Sequence, residues 1–462
     1  MHLLPVLPGE ADHVPAGPGD LRFQKWLQES QWWPTERHLE HQLQLLTRLR
    51  AHAYRSVPYY RSRMDAAGIA PPAPLTLADW RRLPPQTRRD QQQAGDQLAS
   101  VELPSEHGTT LTNTSSGSTG TPVAVQGTVF DAWVFKSLNL RHCLWHPHDF
   151  TGRFVSIRHV GKAEADYPAG ATYERWGDTA TFPFATGPAA ALSIRASISE
   201  QAEWLSRQDP DYLLSYPSNL LGLARHCERH GISLPHLEHV ATFGEAVNAD
   251  VRAAVREVWD APLIDIYSAQ EVGVIADQCP DHEHYHVPAE TVLVEVVDAA
   301  GEPCAPGQVG RVLVTPLFNY AMPLLRYEVG DYAEVGPPCA CGRGLPVLTQ
   351  ILGRERNALL VAPTGERYWP AFGSRKFTSI APIVQHQFVQ KDAEWIEGRL
   401  VTERHLTPDE ESRLRAHIQS RLPWPFRITF AYCGDIPRNA GGKFENFVSE
   451  LAREPTSSSR RQ

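Results

Sequence analysis

The chain is predicted to be α/β, with a large N-terminal α/β domain of parallel sheet plus an antiparallel section, followed by a small α+β domain. Three observations predict this. Strand-like and helical runs alternate between residues 212 and 267. Residues 291–335 change to closely spaced strands joined by turns, and from about Gly353 short strands begin again around one helix.

Tyr212 to Tyr216 reads as a short buried strand, followed by a helix that Ser218 can cap and Gly231 ends. Val240 to Phe243 is a second strand, Asn248 caps a second helix, and Leu263 to Tyr267 is a third strand. Strands alternating with helices of about a dozen residues imply βαβ units and a parallel sheet. Thr291 to Val297, Arg311 to Thr315 and Tyr332 to Val335 are separated by turns at Ala300-Gly301 and Pro306-Gly307, which fits antiparallel pairing. Upstream, Leu39, Leu43, Leu46 and Leu49 recur at helical spacing over residues 36–55 until Val57-Pro58 interrupts. Pro408 to Arg421 is a helix of the last segment. These shifts divide the chain at 1–352 and 353–462, and the second piece is long enough to fold by itself. Residues 1–20, rich in Pro and Gly, and 454–462 read as tails.

Composition narrows the class. The chain has 462 residues and a net charge of -9, with 42% hydrophobic and 21% charged residues. That balance describes a soluble globular protein and lacks the basic face a general nucleic-acid binder needs. Every apolar run breaks before the ~20 residues that would cross a membrane. The N-terminus lacks a basic n-region, and Pro5, Pro8, Glu10 and Asp12 interrupt its apolar stretch, so a cytoplasmic location is expected. Seven cysteines, an odd count, fit a reducing compartment. Cys143, Cys227, Cys304 and Cys433 are scattered and read as structural or incidental.

Several short segments carry chemistry. Thr114-Ser115-Ser116-Gly117-Ser118-Thr119-Gly120-Thr121-Pro122 combines small and hydroxylated residues, which let a loop approach phosphates with backbone N–H groups and hydroxyls as donors. It lacks the Gly-Lys-Ser/Thr ending of a Walker loop, and by itself it could equally be a flexible linker. Cys279, His286, Cys339 and Cys341 supply three thiolates and one imidazole, a normal structural zinc set. His282 and His284 compete as the nitrogen ligand. Lys443 lies in Gly441-Gly442-Lys443-Phe444 in a chain with six lysines.

From about Leu39 to Val448 these segments, in this order, resemble the adenylate-forming superfamily, and within it the phenylacetate–coenzyme A ligase-like branch. The resemblance implies the adenylate-forming enzyme fold, with a mobile C-terminal domain and a catalytic cycle using ATP, Mg²⁺ and coenzyme A. Residues 114–122 match the phosphate-binding loop. Phe243-Gly244-Glu245-Ala246 matches the segment along the adenine, and Tyr267-Ser268-Ala269-Gln270-Glu271 the aromatic–Gly–x–x–Glu motif, with Ser268 in place of glycine. Tyr267 would pack on adenine and Glu271 would bind Mg²⁺, for which a hard oxygen is suitable. Arg326-Tyr327-Glu328-Val329-Gly330-Asp331 matches a widespread signature whose aspartate accepts from both ribose hydroxyls. In Gly353-Arg354-Glu355-Arg356-Asn357, Arg354 would meet ribose or phosphate, and Asn357 takes the pivot position usually held by Asp or Lys. Lys443 would be the catalytic lysine, and Cys279, His286, Cys339 and Cys341 match a zinc site of this branch.

The implied activity converts a carboxylate, aryl acids being favoured, to an acyl-AMP and then to a CoA thioester, in a monomer or homodimer without nucleic-acid or membrane partners. An amine acceptor, or a relative that binds without turnover, are the competing readings.

Overall fold

A computed structural model describes residues 21–114, 124–160, 165–177, 181–361, 364–438 and 443–451. The central part of the phosphate loop, Ser115, Ser116, Gly117, Ser118, Thr119, Gly120 and Thr121, lies outside these residues, as do both tails, Gly441 and Gly442. The chain forms two compact units, neither continuous in sequence. One comprises residues 1–154, 172–189 and 264–351, the other 155–171, 190–263 and 352–462.

In the first unit the strands run in the spatial order Val292–Val297, Val309–Pro316, Tyr327–Val335, Val347–Arg354, Tyr285–His286, Gly273–Gln278 and Leu263–Ala269. The pairings of Val309–Pro316 with both its neighbours are antiparallel, as expected from the turn-rich spacing. The pairings among Leu263–Ala269, Gly273–Gln278 and Tyr285–His286 are antiparallel too. Arg326 opens the third of these strands with φ +49°, a left-handed conformation that costs a branched or long side chain about 1–2 kcal/mol. Its guanidinium offsets that cost by donating to the carbonyls of Arg81 and Leu83, each at 2.6 Å, and to Glu295 at 3.0 Å. The arginine of the Arg-Tyr-x-x-Gly-Asp signature is therefore a buried tether of the strand that carries Asp331.

The helix Thr35–Ser56 is present and ends at extended Val57, after which the helix Pro58–Ala67 begins. Its core face is rotated from the predicted leucine stripe. His38, His41, Gln42, Leu45, Leu46 and Leu49 are buried, whereas Leu39 and Leu43 are only half-buried. Two of the polar residues on this face find backbone acceptors: His41 meets the Glu290 carbonyl at 3.3 Å, and Gln42 donates to that of Val292 at 2.9 Å.

In the second unit the strand order is His239–Phe243, Tyr212–Ser215, Phe154–Arg158 and Ala189–Ser193, the first two parallel as predicted. Asn248 caps the helix Ala249–Trp259 through the N–H of Val251, and Gly231 ends the helix Pro217–His230 with φ +63°. Ser218 is not a cap. Pro217 takes the first helical position after Tyr216, so Ser218 falls inside the first turn and its orphan N–H seeks another acceptor. Residues 383–449 form a four-stranded mixed sheet in the order Arg427–Tyr432, Trp395–Thr402, Ile383–Gln390 and Phe447–Ser449. With the helix Pro408–Gln419 it buries its own core, including Phe377, Phe388, Leu400, Leu414 and Ile418.

Three buried histidines make stability pH-dependent. Burial is the main cause that pushes His41 and His107 down to about 4 and His386 down to about 3. Their folded pKa values lie below the unfolded value of about 6.5, so their neutral forms stabilise the fold fully above that pH. This contribution is lost as pH falls toward 4, at roughly 2 kcal/mol per residue by pH 5. The melting temperature at pH 5 is expected to be well below that at pH 7.5. His107→Leu should flatten part of the fall, because neither ring nitrogen of His107 has a partner among the described residues; an unchanged slope would refute the assignment.

Candidate active site

The phosphate loop is anchored by a two-stranded antiparallel ribbon, Thr110–Thr114 against Ala124–Thr128, with Thr114 opposite Ala124. The pairing of Thr114 with Ala124 fixes where residues 115–123 leave and rejoin the described chain. Thr128 then caps the helix Val129–Trp145 by accepting from the N–H of Asp131.

Tyr267, Ser268 and Glu271 lie on or just after the strand Leu263–Ala269. A register shift between Tyr267 and Ser268, together with φ +79° at Gly273, turns the chain back into Gly273–Gln278. The irregularity falls where serine replaces the motif glycine, so the turn is made without glycine at position 268. Tyr267 is buried and its hydroxyl donates to Asp331 Oδ2 at 2.9 Å. The tyrosine thus orients the carboxylate of a strand four places away in the sheet order.

Glu271 Oε1 is paired with Arg88 Nη1 at 2.8 Å, with both side chains largely buried. Arg88 is placed by the first turn of its own helix, Arg88–Ala94, where Thr87 and Asp90 cap each other reciprocally. Nothing in the sequence around Arg88 marks it as functional. Its role follows only from the contact.

In the second unit Gly244 follows the strand His239–Phe243 with φ +75°. A Cβ at this position would stand 3.3 Å from both Cε and Nζ of Lys443 and 3.6 Å from the Tyr216 ring. The lysine and the glycine of the two motifs are therefore neighbours. Glu245 turns its carboxylate to the segment that carries the lysine. Its Oε1 accepts the N–H of Phe444 at 2.9 Å, and its Oε2 accepts the orphan N–H of Ser218 at 2.9 Å. Arg438 donates to Ser218 Oγ and Asn219 Oδ1, each at 3.2 Å. Burial pushes the Glu245 carboxyl above the usual carboxylate range, opposed by these hydrogen bonds and by Arg438. Arg354 is half-buried, and its carbonyl accepts from the Trp369 indole at 3.3 Å. Asn357, at the pivot position, donates to Glu445 at 3.2 Å and to the Phe447 carbonyl at 2.7 Å. Glu445 also holds Arg356 at 2.7 Å.

The cysteine–histidine residues converge. Cys279, His284, His286 and Cys339 offer ligand atoms within 4.8 Å of one another. The sulfurs of Cys279 and Cys339 are 3.9 Å apart, close to the ~3.8 Å edge of a tetrahedron with Zn–S bonds of about 2.3 Å. Cys341 Sγ lies 3.4 Å from His286 Nε2, and His284 Nε2 lies 3.0 Å from Cys339 Sγ. His282 is exposed and stacked on His284. The structure thus gathers Cys279, His284, His286 and Cys339 into one cluster, adding His284 to the predicted set, while Cys341 groups with Cys279 and Asp281 beside it.

The model of the family described as "AMP-binding enzyme" matches residues 73–316, more than half of the sequence. The chain belongs to the AMP-binding enzyme family. It is 26% identical over 459 residues to the phenylacetate-coenzyme A ligase of Thermus thermophilus, covering 90% of this chain and 97% of the relative. Against the enzyme of the same name from Escherichia coli it is 27% identical over 417 residues, covering 84% and 90%. A crystal structure of 2-hydroxyisobutyryl-CoA ligase in its postadenylation state superposes with a TM-score of 0.74 at 16% identity, covering 95% of each chain. The adenylate-forming α/β fold expected from the motifs is therefore the fold of this AMP-binding enzyme.

Within this family the Gly244–Lys443 contact gives a direct test. Gly244→Ala inserts a methyl against the lysine and strains a left-handed backbone. It should lower adenylation roughly 10- to 100-fold, the cost of misplacing a reacting group by about an ångström. Pyrophosphate-exchange rates measure this, and a wild-type rate would show that the lysine works from elsewhere.

Proposed function

We propose that this AMP-binding enzyme activates a carboxylic acid with ATP and transfers the acyl group to coenzyme A. A carboxylate oxygen attacks the α-phosphorus, the bond to pyrophosphate breaks, and acyl-AMP forms. The thiol sulfur of CoA then attacks the acyl carbonyl, AMP leaves with the bonding electron pair, and the thiol proton passes to solvent. The observation that carries this reading is the packing of Lys443 on Gly244, with Glu245 seating the same segment. It puts an ammonium beside the glycine segment that the motif resemblance assigns to adenine. The two phenylacetate-coenzyme A ligases, matched over most of their lengths, support an aryl acid and CoA as the substrates.

The roles follow the chemistry of the side chains. Thr114, Ser115, Ser116, Gly117, Ser118, Thr119, Gly120 and Thr121 take the phosphates, Asp331 and Arg354 the ribose, and Tyr267, Ser268, Gly244 and Glu245 border the nucleotide. Lys443 neutralises charge that builds on the phosphates in the transition state. Glu271 is a hard oxygen donor that would hold Mg²⁺, which would supply positive charge against the ATP phosphates, and Arg88 keeps that carboxylate in place. Residues 353–462 would turn about Asn357 between the two half-reactions, carrying Lys443 away before thiol attack.

A carboxylate-dependent ATP–pyrophosphate exchange screen across aryl, fatty and amino acids, without CoA, tests the first step. Aryl acids should give the fastest exchange, and no exchange with any acid would overturn the reading. Turnover of the selected acid with CoA against amines tests the second step.

Structural zinc is part of the same proposal. The sulfur spacing and the convergence of Cys279, His284, His286 and Cys339 fit a closed tetrahedral site. Protein purified without chelator is expected to hold Zn²⁺ on its cysteines, and Cys279→Ser should lose it with a fall in melting temperature. Freely titratable thiols at Cys279, Cys339 and Cys341 in the native protein would exclude the site.

A further inference from the structure

His142, His146 and Asp277 form a second cluster that neither the ATP chemistry nor the cysteine site uses. His142 lies in the last turn of the helix Val129–Trp145, His146 caps that helix, and Asp277 comes from the strand Gly273–Gln278. The two histidines are four residues apart, which stacks them on one side of the helix end. Their ring centroids are 5.1 Å apart. One ring nitrogen from each and a carboxylate oxygen of Asp277 all lie within 4.8 Å of one another.

Two features point to a ligand set. First, His146 is 5% exposed and its Nε2 has no partner among the described residues. A hydrogen bond to the Gln278 backbone takes part in its environment. A ring that donates through one nitrogen to a carbonyl presents the lone pair of the other, which is how metal-binding histidines are oriented. Second, His142 Nδ1 is 2.6 Å from Asp277 Oδ1, so the carboxylate is already bound to one imidazole of the set.

We propose that His142, His146 and Asp277 bind a divalent transition-metal ion, with Zn²⁺ the first choice. Two imidazoles and one carboxylate suit Zn²⁺ and its neighbours in the first row, whereas Mg²⁺ and Ca²⁺ prefer all-oxygen sets. The ion pins the end of the helix Val129–Trp145 to the strand that leads into Cys279. Its role is structural, since the donors are buried. This inference does not depend on the proposed ligase reaction.

Cobalt distinguishes the two clusters, because thiolate-bound Co²⁺ shows sulfur-to-metal charge-transfer absorption and a His/carboxylate site does not. Metal-stripped full-length protein titrated with Co²⁺ should bind one equivalent without that absorption, beyond whatever the thiolates take. His146→Ala and Asp277→Asn should each remove this equivalent and leave the thiolate bands unchanged. Variants that retain it overturn the proposal. Since alanine leaves a cavity, His146→Gln is measured alongside, with circular dichroism to confirm folding. If none of the variants folds, the wild-type titration decides: cobalt bound only with thiolate absorption overturns the site, and a sulfur-free equivalent supports it.

Discussion

Alanine at position 443 is expected to lower the rate of acyl-adenylate formation at least ~100-fold, while thioester formation from a supplied acyl-adenylate falls far less. Losing one well-placed charge-stabilising group costs roughly 2.7–4 kcal/mol of transition-state energy. The Lys443 ammonium lies against Gly244, and the segment behind it is held by the Phe444 N–H on Glu245 at 2.9 Å. A loss confined to the first half-reaction fits a lysine that departs before the thiol attacks. Pre-steady-state measurement of each half-reaction checks this, and equal losses in both would reject the two-conformation cycle. Glu245→Gln provides a graded companion. It keeps an acceptor for the segment but removes the charge, so its loss should be smaller than that of Lys443→Ala and fall on the same half-reaction.

Asp331→Ala is expected to raise the apparent KM for ATP roughly 10- to 150-fold, from the 1.5–3 kcal/mol associated with hydrogen bonds to a charged group. Two ribose hydroxyls lose their acceptor, and Tyr267 loses the partner it holds at 2.9 Å. Tyr267→Phe separates these effects. It leaves the carboxylate to bind ribose and removes only the group that orients it, so its KM effect should be several-fold smaller. Steady-state kinetics with ATP varied at saturating carboxylate measure both. ATP kinetics unchanged in Asp331→Ala would show that the Arg-Tyr-x-x-Gly-Asp segment serves the fold alone, as its arginine does.

Sequence by itself was enough to determine the fold class, the parallel pairing of Tyr212–Ser215 with His239–Phe243, the Asn248 cap and the antiparallel strands from residue 292 onward. These depend on local chemistry: hydrophobic period, capping residues and glycine turns act within a few neighbours and are written in order along the chain. The ordered motifs likewise pointed to the family and to Lys443, Glu271 and Asp331. Tertiary structure alone decided what each motif residue touches. Ser218 looked like a cap, yet Pro217 shifted it into the first turn and its N–H went to Glu245. Glu245 looked like part of the adenine segment, yet its carboxylate seats Phe444, 199 residues away in sequence. Arg88 carried no signal and became the partner of Glu271, and His284 joined the cysteine–histidine cluster beside His286. A long-range contact depends on two distant segments arriving at one place. Composition and spacing within either segment do not encode that arrival; the packing of the sheets and helices does.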